Sequence, residues 1–76
     1  MLNSFIKLTV RRLYRKGYTE ISDKYYSVYN YSIKEAVIDC INDEKVYDEI
    51  APHCLVYTIS CDGVTLYNSI TRRIER

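Results

Sequence analysis

The chain has 76 residues, a formal net charge of +1, 47% hydrophobic and 28% charged residues, and only two glycines and one proline. Those values exclude a disordered tail or a flexible linker protein, and no apolar run approaches the roughly 18 residues of a membrane span. The length allows one domain, residues 1–76, with one core of modest stability.

The first element is a strand from Phe5 to about Tyr14. Ile6, Leu8 and Val10 alternate with Lys7, Thr9 and Arg11, the pattern of a half-buried strand. Arg15-Lys16-Gly17 reads as a turn, with Gly17 supplying a positive φ. The second strand is strongest over Tyr25–Asn30 and begins as early as Thr19. It contains most of a run with four tyrosines in seven residues, Tyr25-Tyr26-Ser27-Val28-Tyr29-Asn30-Tyr31. One face cannot bury that many rings, so some are expected to face outward.

A helix follows. Ser32 is its N-cap and Glu35 completes a capping box, with Tyr31 placed to pack near Ala36. Ile33, Ala36, Val37, Cys40 and Ile41 keep the helical spacing of a core-facing stripe. Asn42-Asp43 marks an end or a kink, and Ala51-Pro52 a stop. Asp39, Asp43 and Glu44 are expected to lie together on a solvated helix surface.

The last third is a hairpin. Asp62-Gly63 favours a type I′ turn that pairs Cys61 with Val64. A regular ladder then pairs Ile59 with Leu66, Tyr57 with Asn68 and Leu55 with Ile70 on the apolar face. Ser60–Thr65, Thr58–Tyr67 and Val56–Ser69 fall on the other. Arg72, Arg73 and Arg76 make a basic end.

The fold class is therefore α+β. It is a two-layer β-β-α-β-β domain, a four-stranded antiparallel sheet with one helix packed on one face. The expected core adds Val28, Leu55 and Ile70 to the apolar residues above. The uncovered face is expected to carry Lys7, Thr9, Arg11, Tyr25, Ser27, Tyr29, Thr58 and Tyr67.

Catalytic patterns are missing. His53 is the only histidine, and its neighbour Cys54 points to the opposite strand face, so the two do not form a nucleophile pair. The spacings of Cys40, Cys54 and Cys61 match no zinc pattern, and an odd cysteine count without a secretion signal suits reduced, buried thiols. Both glycines are explained by turns, and no phosphate-binding loop is present. The reading is a cytoplasmic non-enzyme with no catalytic residue, no cofactor and no metal.

Binding is the remaining role. Tyrosine beside a cation suits a contact surface, and Lys7, Arg11, Arg12, Tyr25, Tyr29 and Tyr67 are the candidate binding residues. Charge is also segregated. Residues 1–24 carry six basic and two acidic side chains (+4), residues 25–53 two and six (−4), and residues 54–76 three and two (+1). The alternative function is a nucleic-acid-binding module, with rings stacking bases on the open sheet. A sequence pI of about 7.7 is low for that role. A symmetric homodimer through the open face or an edge strand is compatible with either.

The alternating basic first strand, the passage Tyr26-Ser27-Val28-Tyr29-Asn30-Tyr31-Ser32, the helix opening Ile33-Lys34-Glu35-Ala36 and the tight Asp-Gly hairpin resemble a pattern. It is similar to that of small phage and mobile-element β-β-α-β-β proteins, some of them anti-CRISPR inhibitors. The resemblance implies an inhibitor that occludes a host defence or regulatory protein or ribonucleoprotein complex in the host bacterial cytoplasm. It carries no residue role across. The acidic helix face, as a nucleic-acid mimic, is a second surface to consider.

Overall fold

The computed structural model describes residues 4–50, 54–70 and 73–74. His53, Ala51-Pro52, Arg72 and Arg76 lie outside them. The elements are β1 (Phe5–Tyr14), β2 (Thr19–Ser27), α1 (Ile33–Ile50), β3 (Cys54–Cys61), β4 (Val64–Asn68) and a two-residue β5 (Arg73–Ile74). The sheet order is β2-β1-β3-β4-β5, and every neighbouring pair is antiparallel. The two hairpins thus join through β1 and β3, and α1 packs on one face, giving the α+β two-layer fold.

Local chemistry explains the turns. Tyr14 and Tyr18 close the first hairpin, with the Tyr14 N–H donating to the Tyr18 carbonyl at 3.1 Å and the Gly17 N–H donating to the Tyr14 carbonyl at 3.0 Å. Gly17, at φ 85°, takes the left-handed position of this three-residue loop. In the second hairpin Asp62 (φ 50°) and Gly63 (φ 80°) are both left-handed, as a type I′ turn requires. The capping box forms as expected. The Glu35 N–H donates to Ser32 Oγ at 3.2 Å, and the Ser32 N–H donates to Glu35 Oε1 at 3.3 Å.

The core is Ile6, Leu8 and Val10 of β1, Tyr26 of β2, Tyr57 and Ile59 of β3, and Leu66 and Tyr67 of β4. Ala36, Val37, Cys40 and Ile41 of α1 pack against them. Tyr31 joins the edge of this core and meets Tyr26 edge-on, 5.0 Å between ring centroids. Each fully buried large apolar side chain here contributes about 1.5–3 kcal/mol.

Four expectations change. β2 ends at Ser27, so Val28 and Tyr29 belong to a turn and Val28 is exposed. The helix runs unbroken through Asn42-Asp43 to Ile50. Its exposed first residue, Ile33, lies at the end of the stripe. The β3–β4 and β1–β3 ladders are each irregular. Ile59 faces Tyr67 while Ser60 faces Thr65, leaving Leu66 as an extra residue on β4. The bulge lets Leu66 and Tyr67 both turn inward, and Tyr67 is only 8% exposed. A second irregularity, with Leu13 opposite Val56 but Tyr14 opposite Cys54, leaves Leu55 unpaired in register and exposed.

Candidate functional site

The uncovered face is built from the odd-numbered residues of β1 and their cross-strand neighbours. Lys7 faces Tyr25, Thr9 faces Asp23 and Ser60, Arg11 faces Ile21 and Thr58, and Leu13 faces Thr19 and Val56. A polar belt crosses the middle. Thr9 Oγ1 donates to Asp23 Oδ1 at 2.8 Å, and Lys7 Nζ lies 3.7 Å from Asp23 Oδ2. Apolar side chains occupy both ends. Phe5 and Tyr25 are exposed diagonal neighbours at one end, while Leu13, Ile21 and Ile70 are exposed at the other. A shallow depression of about 350 Å³ is lined there by Arg11, Leu13, Thr19, Val56, Thr58 and Ile70. Among the described residues Arg11 makes no ion pair. The depression is thus an apolar floor with one uncompensated cation at its rim.

Of the six residues expected to bind, Lys7, Arg11 and Tyr25 share this face. Tyr29 does not. It sits in the turn after β2, 84% exposed, where the Asn30 and Tyr31 N–H groups both donate to the Ser27 carbonyl. Arg12 and Tyr67 lie on the helix side and are buried. Arg12 has the parity of Leu8 and Val10, so alternation alone directs it inward. Tyr67 was turned by the bulge at Leu66, and its ring lies 5.7 Å from that of Tyr57. Phe5, Leu13 and Ile21 were missed as surface residues, although each shares parity with Lys7 or Tyr25.

Behind Arg12 lies a polar network under the end of α1. Arg12 Nε donates to Glu44 Oε2 at 2.8 Å and Nη2 to Glu44 Oε1 at 2.5 Å, a two-pronged pair in which Glu44 is 1% exposed. Arg12 Nη1 donates to Ser22 Oγ at 3.0 Å and approaches Glu20 at 3.4 Å. Its guanidinium also lies over the Tyr47 ring, 4.9 Å from the centroid. The Tyr14 hydroxyl is 2.9 Å from Glu20 Oε2 and 3.0 Å from the Tyr47 hydroxyl. With one proton to give, Tyr14 donates to the carboxylate and accepts from Tyr47. The hydrogen bonds to Glu44 hold the Arg12 guanidinium even more firmly protonated than usual.

The carboxylates expected on a solvated helix face are therefore divided. Glu44 is committed to Arg12, and Asp43 takes Lys24 Nζ at 2.5 Å. The charge split along the sequence is partly spent inside the fold, joining the basic first hairpin to the acidic helix. The network leaves its carboxylates tied to cations rather than poised for proton transfer. Burial pushes the Cys40 thiol up, and burial followed by the Asp62 carboxylate pushes the Cys61 thiol up. Neither thiol is set up as a nucleophile. Among the described residues no group of three His, Cys, Asp or Glu is placed to hold a metal ion. Among them, too, no helix is long and apolar enough to cross a membrane.

A groove of about 470 Å³ lies between the start of α1 and the second hairpin, lined by Ile33, Val37, Cys61, Val64 and Leu66 with Lys34 and Asp62. No protein-family model, no curated protein and no solved structure matches this chain.

Proposed function

We propose that this chain is a small non-enzymatic interaction protein that binds a partner protein through the open face of its sheet. One observation carries the reading. Phe5, Leu13, Ile21, Tyr25 and Ile70 are large, exposed and apolar on a face that no described element covers, and Arg11 beside them makes no ion pair among the described residues. Apolar side chains grouped in this way on a small domain mark a contact surface. A protein surface offering an acidic side chain beside apolar ones would match it.

Occlusion of a host defence or regulatory complex, as in the phage-type inhibitors that the sequence pattern resembles, is the mode of action this reading favours. Occlusion needs contact area and no chemistry. Nucleic acid is the weaker reading, because Asp23 offsets Lys7 and the cations on this face are too few to track a phosphate chain.

The test begins with a tagged pull-down from a bacterial host, followed by titration of the purified partner. A Leu13→Ser/Tyr25→Ser variant should keep the circular dichroism of the fold and lose at least about tenfold in affinity, since exposed anchors dominate binding energy. Affinity unchanged by this variant would discard the open face as the contact. Affinity that instead follows added oligonucleotide and collapses with salt would favour nucleic acid.

A further inference from the structure

Beyond the open face, the outer edge of β2 is a regular, unoccupied template. The Val28 N–H donates to the Ser4 carbonyl, and the Tyr14 N–H to the Tyr18 carbonyl. These bonds bracket a β1–β2 ladder that runs without a register shift. Bonded and non-bonded pairs alternate in an antiparallel ladder. Glu20, Ser22, Lys24 and Tyr26 therefore bond to β1, while Thr19, Ile21, Asp23 and Tyr25 aim their N–H and C=O groups away from it. No described strand lies beyond β2. The edge has nine residues, no proline and no bulge, so it lacks most devices that keep edges apart.

We infer that β2 pairs antiparallel with β2 of a second copy of the chain, with Ser22 on the two-fold axis. Charge selects both the occupant and the register. Centred on Ser22, Glu20 faces Lys24 of the second copy, and the symmetry makes this contact twice. Ile21 then faces Asp23, and Thr19 faces Tyr25. Centred on Asp23, the same edges would set two aspartates against each other. Centred on Ile21, they would pair no opposite charges. The contact adds a partner to each group. Glu20, its side chain 42% exposed, already accepts from the Tyr14 hydroxyl at 2.9 Å and meets Arg12 at 3.4 Å, and Lys24, 26% exposed, already meets Asp43. A carboxylate and an ammonium each have further hydrogen-bonding positions to offer.

The Ser22-centred pairing adds about eight backbone hydrogen bonds, two for each of four facing pairs. Its axis is perpendicular to the sheet, so the two sheets become one and both open faces look the same way. The Ile21 and Tyr25 side chains of both copies line the seam. This dimer stands independently of the partner proposed above, since its bonds come from the strand edge.

Sedimentation equilibrium from micromolar to millimolar chain tests it, with a concentration-dependent dimer expected. The Ile21→Pro variant removes an N–H that β1 does not use, at an edge site where proline is tolerated. It should weaken association by roughly tenfold or more through lost hydrogen bonds and strand contact, with circular dichroism retained. A second variant places a thiol on the axis. Facing residues at a non-bonded pair lie about 4.5 Å apart at Cα, within disulfide range. Ser22→Cys, in a Cys54→Ser/Cys61→Ser background, should cross-link under mild oxidation, and Asp23→Cys in that background should not. A chain that stays monomeric throughout overturns the inference. So does a dimer indifferent to Ile21→Pro, or one in which Asp23→Cys cross-links as readily as Ser22→Cys. Should Ile21→Pro fail to fold, the cross-linking pair decides alone.

Discussion

Leu8 and Leu13 are the same residue type on the same strand, five positions apart, and they do opposite things. Leu8 is fully buried under α1, while Leu13 is 44% exposed on the face with no cover. β1 therefore separates two surfaces. Its even residues, Ile6 to Tyr14, each have a partner within the chain. Its odd residues hold a polar belt between two apolar ends. The inner face is specified by packing and by one ion-pair network. The outer face has apolar residues with nothing described against them. Fold and binding are thus written on alternate residues, and substitutions on the two faces should separate stability from recognition.

The largest effect is expected at Glu44. Glu44→Ala would strand the Arg12 guanidinium in the interior, at a cost of about 3–5 kcal/mol. That is a large share of the stability of a domain this size. Urea unfolding followed by circular dichroism would measure it. Replacing the pair together, Arg12→Met with Glu44→Leu, should recover most of the loss, because no buried charge remains. Equal losses in the single and double variants would mean that the network is not the inner anchor described here.

Next in size is Leu8→Ala, expected to cost about 2–5 kcal/mol through lost transfer energy and a cavity. The same denaturant curves report it.

The inner face should also fail first at high pH. Burial, then the Tyr47 and Glu20 contacts, pushes the Tyr14 phenol well above its ordinary 10.0. Burial, then a hydrogen bond with Asp39, does the same for Tyr26. Both folded-state values lie above the unfolded ones. The associated stability is therefore intact below pH about 10 and falls as pH rises beyond it, because the unfolded chain sheds these protons first. Thermal melts from pH 8 to 12 should show a steep decline above about 10 that Tyr14→Phe and Tyr26→Phe each reduce. A flat profile would contradict the burial of these hydroxyls.

A smaller loss, about 1 kcal/mol, is expected for Ser32→Ala, which deletes the helix cap. That cap was legible in the sequence, because a capping box is local: its donor and acceptor lie three residues apart. The Asp62-Gly63 turn and the alternation of β1 were legible for the same reason. The bulges at Leu55 and Leu66 were not. Neither carries a glycine or proline to mark it, and the Leu66 bulge exists because the core takes in Tyr67 as well. Glu44 was misplaced for a related reason. A glutamate at a core position makes sense only with Arg12, which lies 32 residues away in sequence. On the open face, the sequence pointed to Lys7, Arg11 and Tyr25 through their chemistry. It passed over Phe5, Leu13 and Ile21, since apolar residues in a strand are normally assigned to a core.

The smallest effect on stability is expected at Leu13. Leu13→Ser removes a side chain already half in water, so the denaturation midpoint should move by no more than about 0.5 kcal/mol equivalent, as for ordinary surface sites. The same change takes away the floor of the depression beside Arg11. If the outer face is a contact surface, Leu13→Ser weakens partner binding while Leu8→Ala, at a temperature where it stays folded, does not. That crossed pattern is the sharpest result the two leucines can give. A Leu13→Ser chain destabilised as much as Leu8→Ala would show instead that the outer face is packed in solution, and the division of β1 into a fold side and a binding side would be lost.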